Sequence, residues 1–249
     1  MTAKKVRVGF FDFTGCEGCQ LAKVSMENEL PQILEHIEIV NFREAMSEKS
    51  WDMDVAFIEG SITTPACVER INRIRQAAPI LVTLGACSTI GGINAIRVGR
   101  DLDEIRQEVY GDKRYLFPSL PVMPVSAVVK VDASIYGCPP NPKDVARFLT
   151  QFLAGKIPQA PKYPVCIECK LQGNACLLVQ GIPCMGVVTR AGCGAWCPSK
   201  GQFCYGCRGL IPDANLDALR ISFEECGLSQ QEIDNKLHLF SGRELEKLS

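Results

Sequence analysis

Fourteen of the 249 residues are cysteine, and their spacing is that of metal-binding thiols. One C-x2-C pair is Cys16-Glu17-Gly18-Cys19, and single cysteines stand at Cys87 and Cys138. A dense block follows, Cys166-x2-Cys169-x6-Cys176-x7-Cys184-x8-Cys193-x3-Cys197-Pro198-x5-Cys204-x2-Cys207. Thiolates at such intervals hold zinc or iron–sulfur clusters. The two histidines, His36 and His238, lie far from the block, on predicted helical surfaces. Any site there is therefore all-sulfur. The Cys-Pro step and the flanking C-x2-C pairs favour ferredoxin-type ligation, with a pair of zinc knuckles as the alternative. Cys67, inside a predicted helix, and Cys226, at a helix end, belong to neither group and read as packing residues.

The elements that position these thiols alternate between strand and helix. Val6 to Phe13, Ile37 to Phe42, Val55 to Ile58, Ile80 to Leu84 and Ala133 to Tyr136 read as short apolar strands. A helix is predicted from Gln20 to Leu30, with apolar spacing at Leu21, Val24 and Leu30. Another starts at Thr64-Pro65, with Thr as N-cap and Pro at the first position. Asp101 to Tyr110 is predicted helical, and Asn141-Pro142 opens a helix to Ala154 with Gly155 as its stop. Alternation of this kind implies α/β architecture: a parallel sheet covered on both faces, with its functional loops at the carboxyl ends of the strands. Cys16, Cys19, Cys87 and Cys138 all follow strands, so the sheet gathers them along one edge. Glycines beside them (Gly15, Gly18, Gly85, Gly91, Gly137) permit close backbone approach. Zinc and an iron–sulfur cluster both suit such a tetrahedral sulfur site. Glu59 closes the third strand at the same edge, either beside that site or as a solvated loop carboxylate.

Gly155 to Pro164 carries Pro158, Pro161 and Pro164 and reads as a linker, dividing the chain into 1–155 and 156–249. From Cys166 to Cys207 there are eight cysteines in 42 residues, one acidic side chain and three basic ones. Aliphatic residues alone cannot build a core there, so bound groups must hold it. The tail returns to ordinary helix grammar. Asp213 is expected to cap a helix through Glu225, and Ser229 with Glu232 forms a capping box for a last helix ending near Gly242.

Composition excludes other classes. With 27 basic and 28 acidic side chains the net charge is −1, and no basic run offers the phosphate neutralisation that nucleic acid requires. No apolar stretch reaches the ~18 residues of a membrane span, so direct membrane insertion is not expected. Met1 to Arg7 runs into the apolar segment at Val6 with no hydrophobic leader and no Arg-Arg pair. A cytoplasmic location is therefore expected.

Several linked motifs resemble the small subunit of nickel–iron hydrogenases. They are Thr14-Gly15-Cys16-Glu17-Gly18-Cys19, Glu59-Gly60-Ser61, Gly85-Ala86-Cys87-Ser88-Thr89-Ile90-Gly91-Gly92, Gly137-Cys138-Pro139-Pro140-Asn141-Pro142 and the C-terminal cysteine block, in that order. The resemblance implies a flavodoxin-like domain followed by a small irregular iron–sulfur domain with C-terminal helices. It implies that Cys16, Cys19, Cys87 and Cys138 hold a proximal [4Fe-4S] cluster facing the nickel–iron site of a separate large subunit. In membrane-linked members a histidine ligates the distal cluster, and Cys166 stands in its place. Their medial cluster has a proline where this chain has a fourth thiolate. Cys166, Cys169, Cys176 and Cys184 are accordingly assigned to a distal [4Fe-4S] cluster, and Cys193, Cys197, Cys204 and Cys207 to a medial one, with exchange of Cys184 and Cys193 open.

The function implied is electron conduction by three [4Fe-4S] clusters, between the large subunit and a flavin- or iron–sulfur-containing acceptor subunit in the cytoplasm. No hydrogen-activating residue is expected in this chain. An iron–sulfur subunit whose large partner lacks nickel, feeding for instance a disulfide reductase, is the alternative. The related quinone-reductase subunit of respiratory complex I typically has a tandem Cys-Cys and lacks the C-terminal block. Here two residues separate Cys16 from Cys19.

Overall fold

The computed structural model describes residues 5–24, 31, 34–44, 46–47 and 49–248. Five strands, β1 (Val6–Asp12), β2 (Ile37–Phe42), β3 (Val55–Glu59), β4 (Ile80–Leu84) and β5 (Ala133–Ile135), form one sheet in the order β2-β1-β3-β4-β5. Every pairing is parallel. This is the flavodoxin-like order, and its topological switch falls between β1 and β3.

Both faces of the sheet are covered, so the strands read as nearly continuous apolar runs. Successive side chains point to opposite faces. Phe10, Phe57, Val82 and Leu84 pack on one side with Phe148 and Leu149 of a helix over Pro142–Leu153. Phe11, Ile58 and Leu81 pack on the other with Ile71 and Ile74 of a helix over Pro65–Ala77. Aromatic rings fill the first side: Phe57 lies 5.2 Å from Phe10 and 6.0 Å from Phe148, centroid to centroid.

Among the described residues, the helices of defined extent are, in chain order, α1 (Gly18–Val24), α2 (Pro65–Ala77), α3 (Ala86–Ile90), α4 (Leu102–Tyr110), α5 (Pro142–Leu153), α6 (Val165–Leu171), α7 (Leu216–Glu225) and α8 (Gln230–Leu245). The part of the predicted Gln20–Leu30 helix beyond Val24, Leu30 included, lies outside the described residues. The Thr64, Asp101 and Asn141 side chains each accept a backbone N–H at the start of α2, α4 and α5. The Ser229/Glu232 capping box starts α8.

Some expectations are corrected. Asn215, not Asp213, caps α7, because its side chain accepts the Ala218 N–H at 2.9 Å. Helix α8 continues through Gly242 to Leu245. Gly242 is there for closeness, since a Cβ on it would stand 2.6 Å from the Ala95 carbonyl oxygen. His36 sits in the turn before β2 rather than on a helix. Cys87 lies inside the short α3 rather than in a loop. Helix α6 has no clear signal in the sequence, because Pro164 precedes it without a side-chain cap and its cysteines blur the apolar period.

A third group of buried side chains belongs to the C-terminal part: Val165, Met185, Val188, Leu219, Phe223, Ile233 and Leu237. No helix among the described residues is long and apolar enough to cross a membrane.

The entry to β4 is fixed electrostatically. Asp132 accepts the Leu81 N–H at 2.9 Å and pairs with Arg75 at 2.5 Å. Burial opposes its charge, yet the Arg75 guanidinium and the Leu81 N–H hold its carboxyl below the usual carboxylate range. A depressed folded pKa adds stability above the unfolded value, near 4, and loses it as pH falls through the folded value. Asp132→Asn should therefore cost roughly 1.5–3 kcal/mol at pH 7, the worth of hydrogen bonds to a charged group. The deficit should shrink in urea melts run near pH 3.

Candidate iron–sulfur sites

The loop after β1 is tied to its neighbours before any cysteine is considered. Phe13 N–H donates to the Glu59 carbonyl at 2.8 Å, and Thr14 and Ser61 exchange backbone hydrogen bonds at 3.2 and 2.8 Å. Asn94 bridges both loops, donating to the Thr14 carbonyl at 2.8 Å and to the Ser61 hydroxyl at 2.7 Å. The approach is so close that a Cβ on Gly60, whose φ is +83°, would lie 2.5 Å from the Phe13 carbonyl carbon.

Glu59 is buried, only 3% exposed. Its carboxylate accepts the N–H groups of Cys19 (3.1 Å) and Gln20 (2.9 Å), so it seats the C-x2-C turn and the start of α1. The solvated-loop alternative is thereby overturned. Glu17, between the cysteines, has φ 61°, and Arg43 reaches its carboxylate at 3.0 Å. Glu59→Ala should take the carboxylate acceptor from the Cys19 N–H, while the Gln20 N–H keeps the Glu17 carbonyl at 3.0 Å, a loss of roughly 1.5–3 kcal/mol, the worth of a hydrogen bond to a charged group. Urea unfolding measures the loss, and alkylation of Cys19 should accelerate in parallel.

Four thiols converge on this edge. Cys19 is buried, and its Sγ occupies the place where a Cβ on Gly85 would stand. Cys16 and Cys138 are exposed and Cys87 is half-buried. Although the residue is exposed at its outer surface, the chain packed around its sulfur, then the neighbouring Cys87, Cys16 and Glu59, pushes the Cys138 thiol up to about 11. Cys87 is raised by burial, Cys16 and Glu59, while the backbone N–H groups of Ile93 and Asn94 point at its sulfur.

The C-terminal thiols form two overlapping neighbourhoods. Burial, then Cys184, Cys169 and Cys176, pushes Cys166 up to about 11. The Sγ atoms of Cys166 and Cys184 lie 3.5 and 3.6 Å from the position a Cβ on Gly186 would take. Cys207 is pushed up to about 12 by burial and by Cys193, Cys138 and Cys197, against a hydrogen bond from the Cys138 N–H. Cys204 is raised by burial, opposed by the neighbouring Gly206 backbone and Thr189 side chain. Cys184 lies between the neighbourhoods, accepting the Cys204 N–H at 3.2 Å and facing both Cys166 and Cys197. A cavity of about 920 Å³ is lined by Cys138, Cys193, Cys197, Cys204, Cys207 and Trp196, among others. Cys67 packs on the sheet, its sulfur 3.1 Å from the Thr64 hydroxyl, and Cys226 caps the end of α7.

Thiols raised by burial and by one another are the residues to receive a cationic metal group. Binding releases their protons and cancels their mutual repulsion. Backbone N–H groups already aimed at the sulfurs are what tune a cluster's potential. No three His, Cys, Asp or Glu side chains among the described residues are grouped as around a single ion. A cluster differs in taking its thiolates on separate irons. The donor set and the thiol-lined cavity fit iron–sulfur groups.

A parallel sheet of flavodoxin-like order, with thiols along its carboxyl edge and a second thiol-rich part behind, defines an iron–sulfur oxidoreductase subunit. The sequence profile of the NADH ubiquinone oxidoreductase 20 Kd subunit family matches residues 16–152. Similarity to hydrogenase subunits extends further. The chain is 36% identical over 238 residues to the sulfhydrogenase 2 subunit delta of Pyrococcus furiosus, covering 95% of this chain and 99% of that one. It is 32% identical to a subunit of the F420-non-reducing hydrogenase vhu of Methanococcus voltae, covering 96% of this chain and 95% of that one. Among solved structures, an NAD+-reducing [NiFe]-hydrogenase in the H2-reduced state superposes with a TM-score of 0.57 at 28% identity, covering 64% of this chain and 96% of that one. The chain belongs to the 20 Kd subunit family and, within it, to the small subunits of nickel–iron hydrogenases. As such it is an electron-transfer subunit of an oxidoreductase that works with a large subunit.

Asn94 and Arg43 organise the edge without any signal in the sequence. Both act across long loops and belong to no motif read for its chemistry.

Proposed function

We propose that the chain conducts electrons through three [4Fe-4S] clusters within a cytoplasmic nickel–iron hydrogenase. In this reading Cys16, Cys19, Cys87 and Cys138 hold the proximal cluster, Cys193, Cys197, Cys204 and Cys207 the medial one, and Cys166, Cys169, Cys176 and Cys184 the distal one. The chain divides functionally into 1–155, which carries the first site, and 156–249, which carries the other two. Hydrogen is activated on the large subunit, and the acceptor is a flavin- or iron–sulfur-containing subunit. When bound, the clusters supply one-electron carriers.

The observation that carries the reading is adjacency. Cys138 of the first set lies beside Cys207 of the second on the wall of one cavity, and Cys204 of the second donates its N–H to the Cys184 sulfur of the third at 3.2 Å. These neighbours support reading the three sets as a series that runs from the sheet edge to the exposed Cys176. The chain's own residues fix that series. Glu59 seats the first turn, the third group of buried side chains keeps water from the second part, and the N–H groups of Ile93, Asn94, Gly206 and Cys138 stabilise charge on sulfur.

All-thiolate ligation lowers potential relative to centres with histidine, which suits exchange with low-potential soluble carriers. Metal analysis of the complex isolated without oxygen tests the reading. About twelve irons per chain, four for each cluster, with matching sulfide are expected, along with nickel in the large subunit. Iron without nickel supports the alternative partner, and zinc in place of iron contradicts the reading.

A further inference from the structure

Arg208 follows directly on Cys207 and is among the few charged side chains that are buried, 5% exposed. It is anchored on three separate pieces of chain. Its Nη1 donates to the Tyr136 carbonyl at 2.8 Å, just before Cys138, and to the Asp144 carboxylate of α5 at 3.0 Å. Its Nε donates to the Ala191 carbonyl at 2.9 Å, just before Cys193. Room for it is kept by Gly192, with φ +116°, where a Cβ would collide with the guanidinium. At the same junction Cys138, Cys207 and Arg208 line one cavity, and the Cys138 backbone lies beside the Cys207 sulfur. A planar fork with several fixed donors can lock such a crossing, whereas a lysine ammonium cannot satisfy all three anchors in the same geometry.

We propose that Arg208 is the positioning residue for the electron step between the first and second thiol sets, clamping the Tyr136–Cys138 turn, α5 and the 191–192 segment together so that Cys138 stays beside Cys207. The proposal rests on the cluster reading above. The step moves one electron; no bond breaks and no proton is transferred. The Cys138 N–H beside the sulfur stabilises the added negative charge of the reduced medial site; Arg208, whose own charge is paired with Asp144, acts by holding that turn in place.

The test compares the native complex with Arg208→Met and Arg208→Lys complexes by two readouts other than turnover. The first is amide exchange of the 137–142 peptide, which Pro139, Pro140 and Pro142 leave with few amides besides that of Cys138. The second is the midpoint of the medial signal in an EPR-monitored redox titration. Arg208→Met should exchange that peptide at least about tenfold faster, as expected for losing one hydrogen bond to a charged group. At fixed potential its medial reduced-to-oxidised ratio should fall by roughly tenfold, ~59 mV for one electron, while the distal midpoint stays put. Arg208→Lys should fall between. Unchanged exchange and an unchanged medial midpoint at full iron content overturn the proposal. Should Arg208→Met not assemble, the lysine variant decides on the same two readouts. Absence of any medial signal in the native complex would instead refute the cluster reading, and this proposal with it.

Discussion

Cys138→Ala should strip about four of about twelve irons from the chain, the content of one cluster. Hydrogen-driven reduction of any soluble carrier should fall by at least about a hundredfold, since even outer-shell changes cost 10–100-fold at metal sites. Cys138 occupies the crossing point. Its sulfur faces Cys87 and Cys16, and its N–H faces Cys207. In the proposed assignment, loss of its thiolate leaves three sulfurs for a group that takes four, at the first site electrons reach. The other two sites retain their own thiols. Dithionite should therefore still develop their EPR signals in the variant, whereas hydrogen should not. Cys176→Ala, at the far end, provides the contrast: a similar iron deficit, but hydrogen should still reduce what remains. Full iron content in Cys138→Ala would remove this residue from the first set.

Gly60→Ala should destabilise the chain by roughly 2–6 kcal/mol, combining strain at positive φ with overpacking. The added methyl would press on backbone, 2.5 Å from the Phe13 carbonyl carbon and 2.9 Å from the Thr14 nitrogen. A side chain could turn aside, but these atoms belong to the strand end that carries Cys16. The loop pair Thr14–Ser61 must then separate, moving Glu59 away from the Cys19 and Gln20 N–H groups it accepts. Iron at the first site should be lost along with stability. Gly99→Ala is the control, because Gly99 also has positive φ (+92°) but nothing within 4 Å of an added Cβ. It should cost only about 1 kcal/mol and leave iron unchanged. Equal effects from the two substitutions would show that backbone strain alone, not the close approach at Gly60, governs the edge.

What was legible in the sequence was local. Ile80 to Leu84 read as a strand because it is an uninterrupted β-branched and leucine run, and it is β4. Thr64-Pro65 and Ser229 with Glu232 announced helix starts because caps act within four residues of themselves. Parallel alternation was enough to send Cys16, Cys87 and Cys138 to one edge, since every strand end of a parallel sheet points the same way. What escaped was set by distant partners. Gly242 resembles a helix stop in isolation and is a contact with Ala95 in the fold. Glu59 could be placed at the edge, but its burial against Cys19 depends on a turn forty residues earlier in the chain. Asn94 reaches back 80 residues to Thr14, and Arg208 reaches back 72 to Tyr136. No periodicity or spacing encodes such pairings. In the cysteine block, the position of Cys184 between Cys166 and Cys204 keeps its membership a matter of three-dimensional packing rather than of spacing.

The most direct test of the central claim is low-temperature EPR spin quantitation on the dithionite-reduced complex, prepared without oxygen. Three reduced [4Fe-4S] centres should integrate to about three spins per chain, with broadening from their mutual proximity. A colourless preparation that gives no signal after reduction would contradict the account at its root.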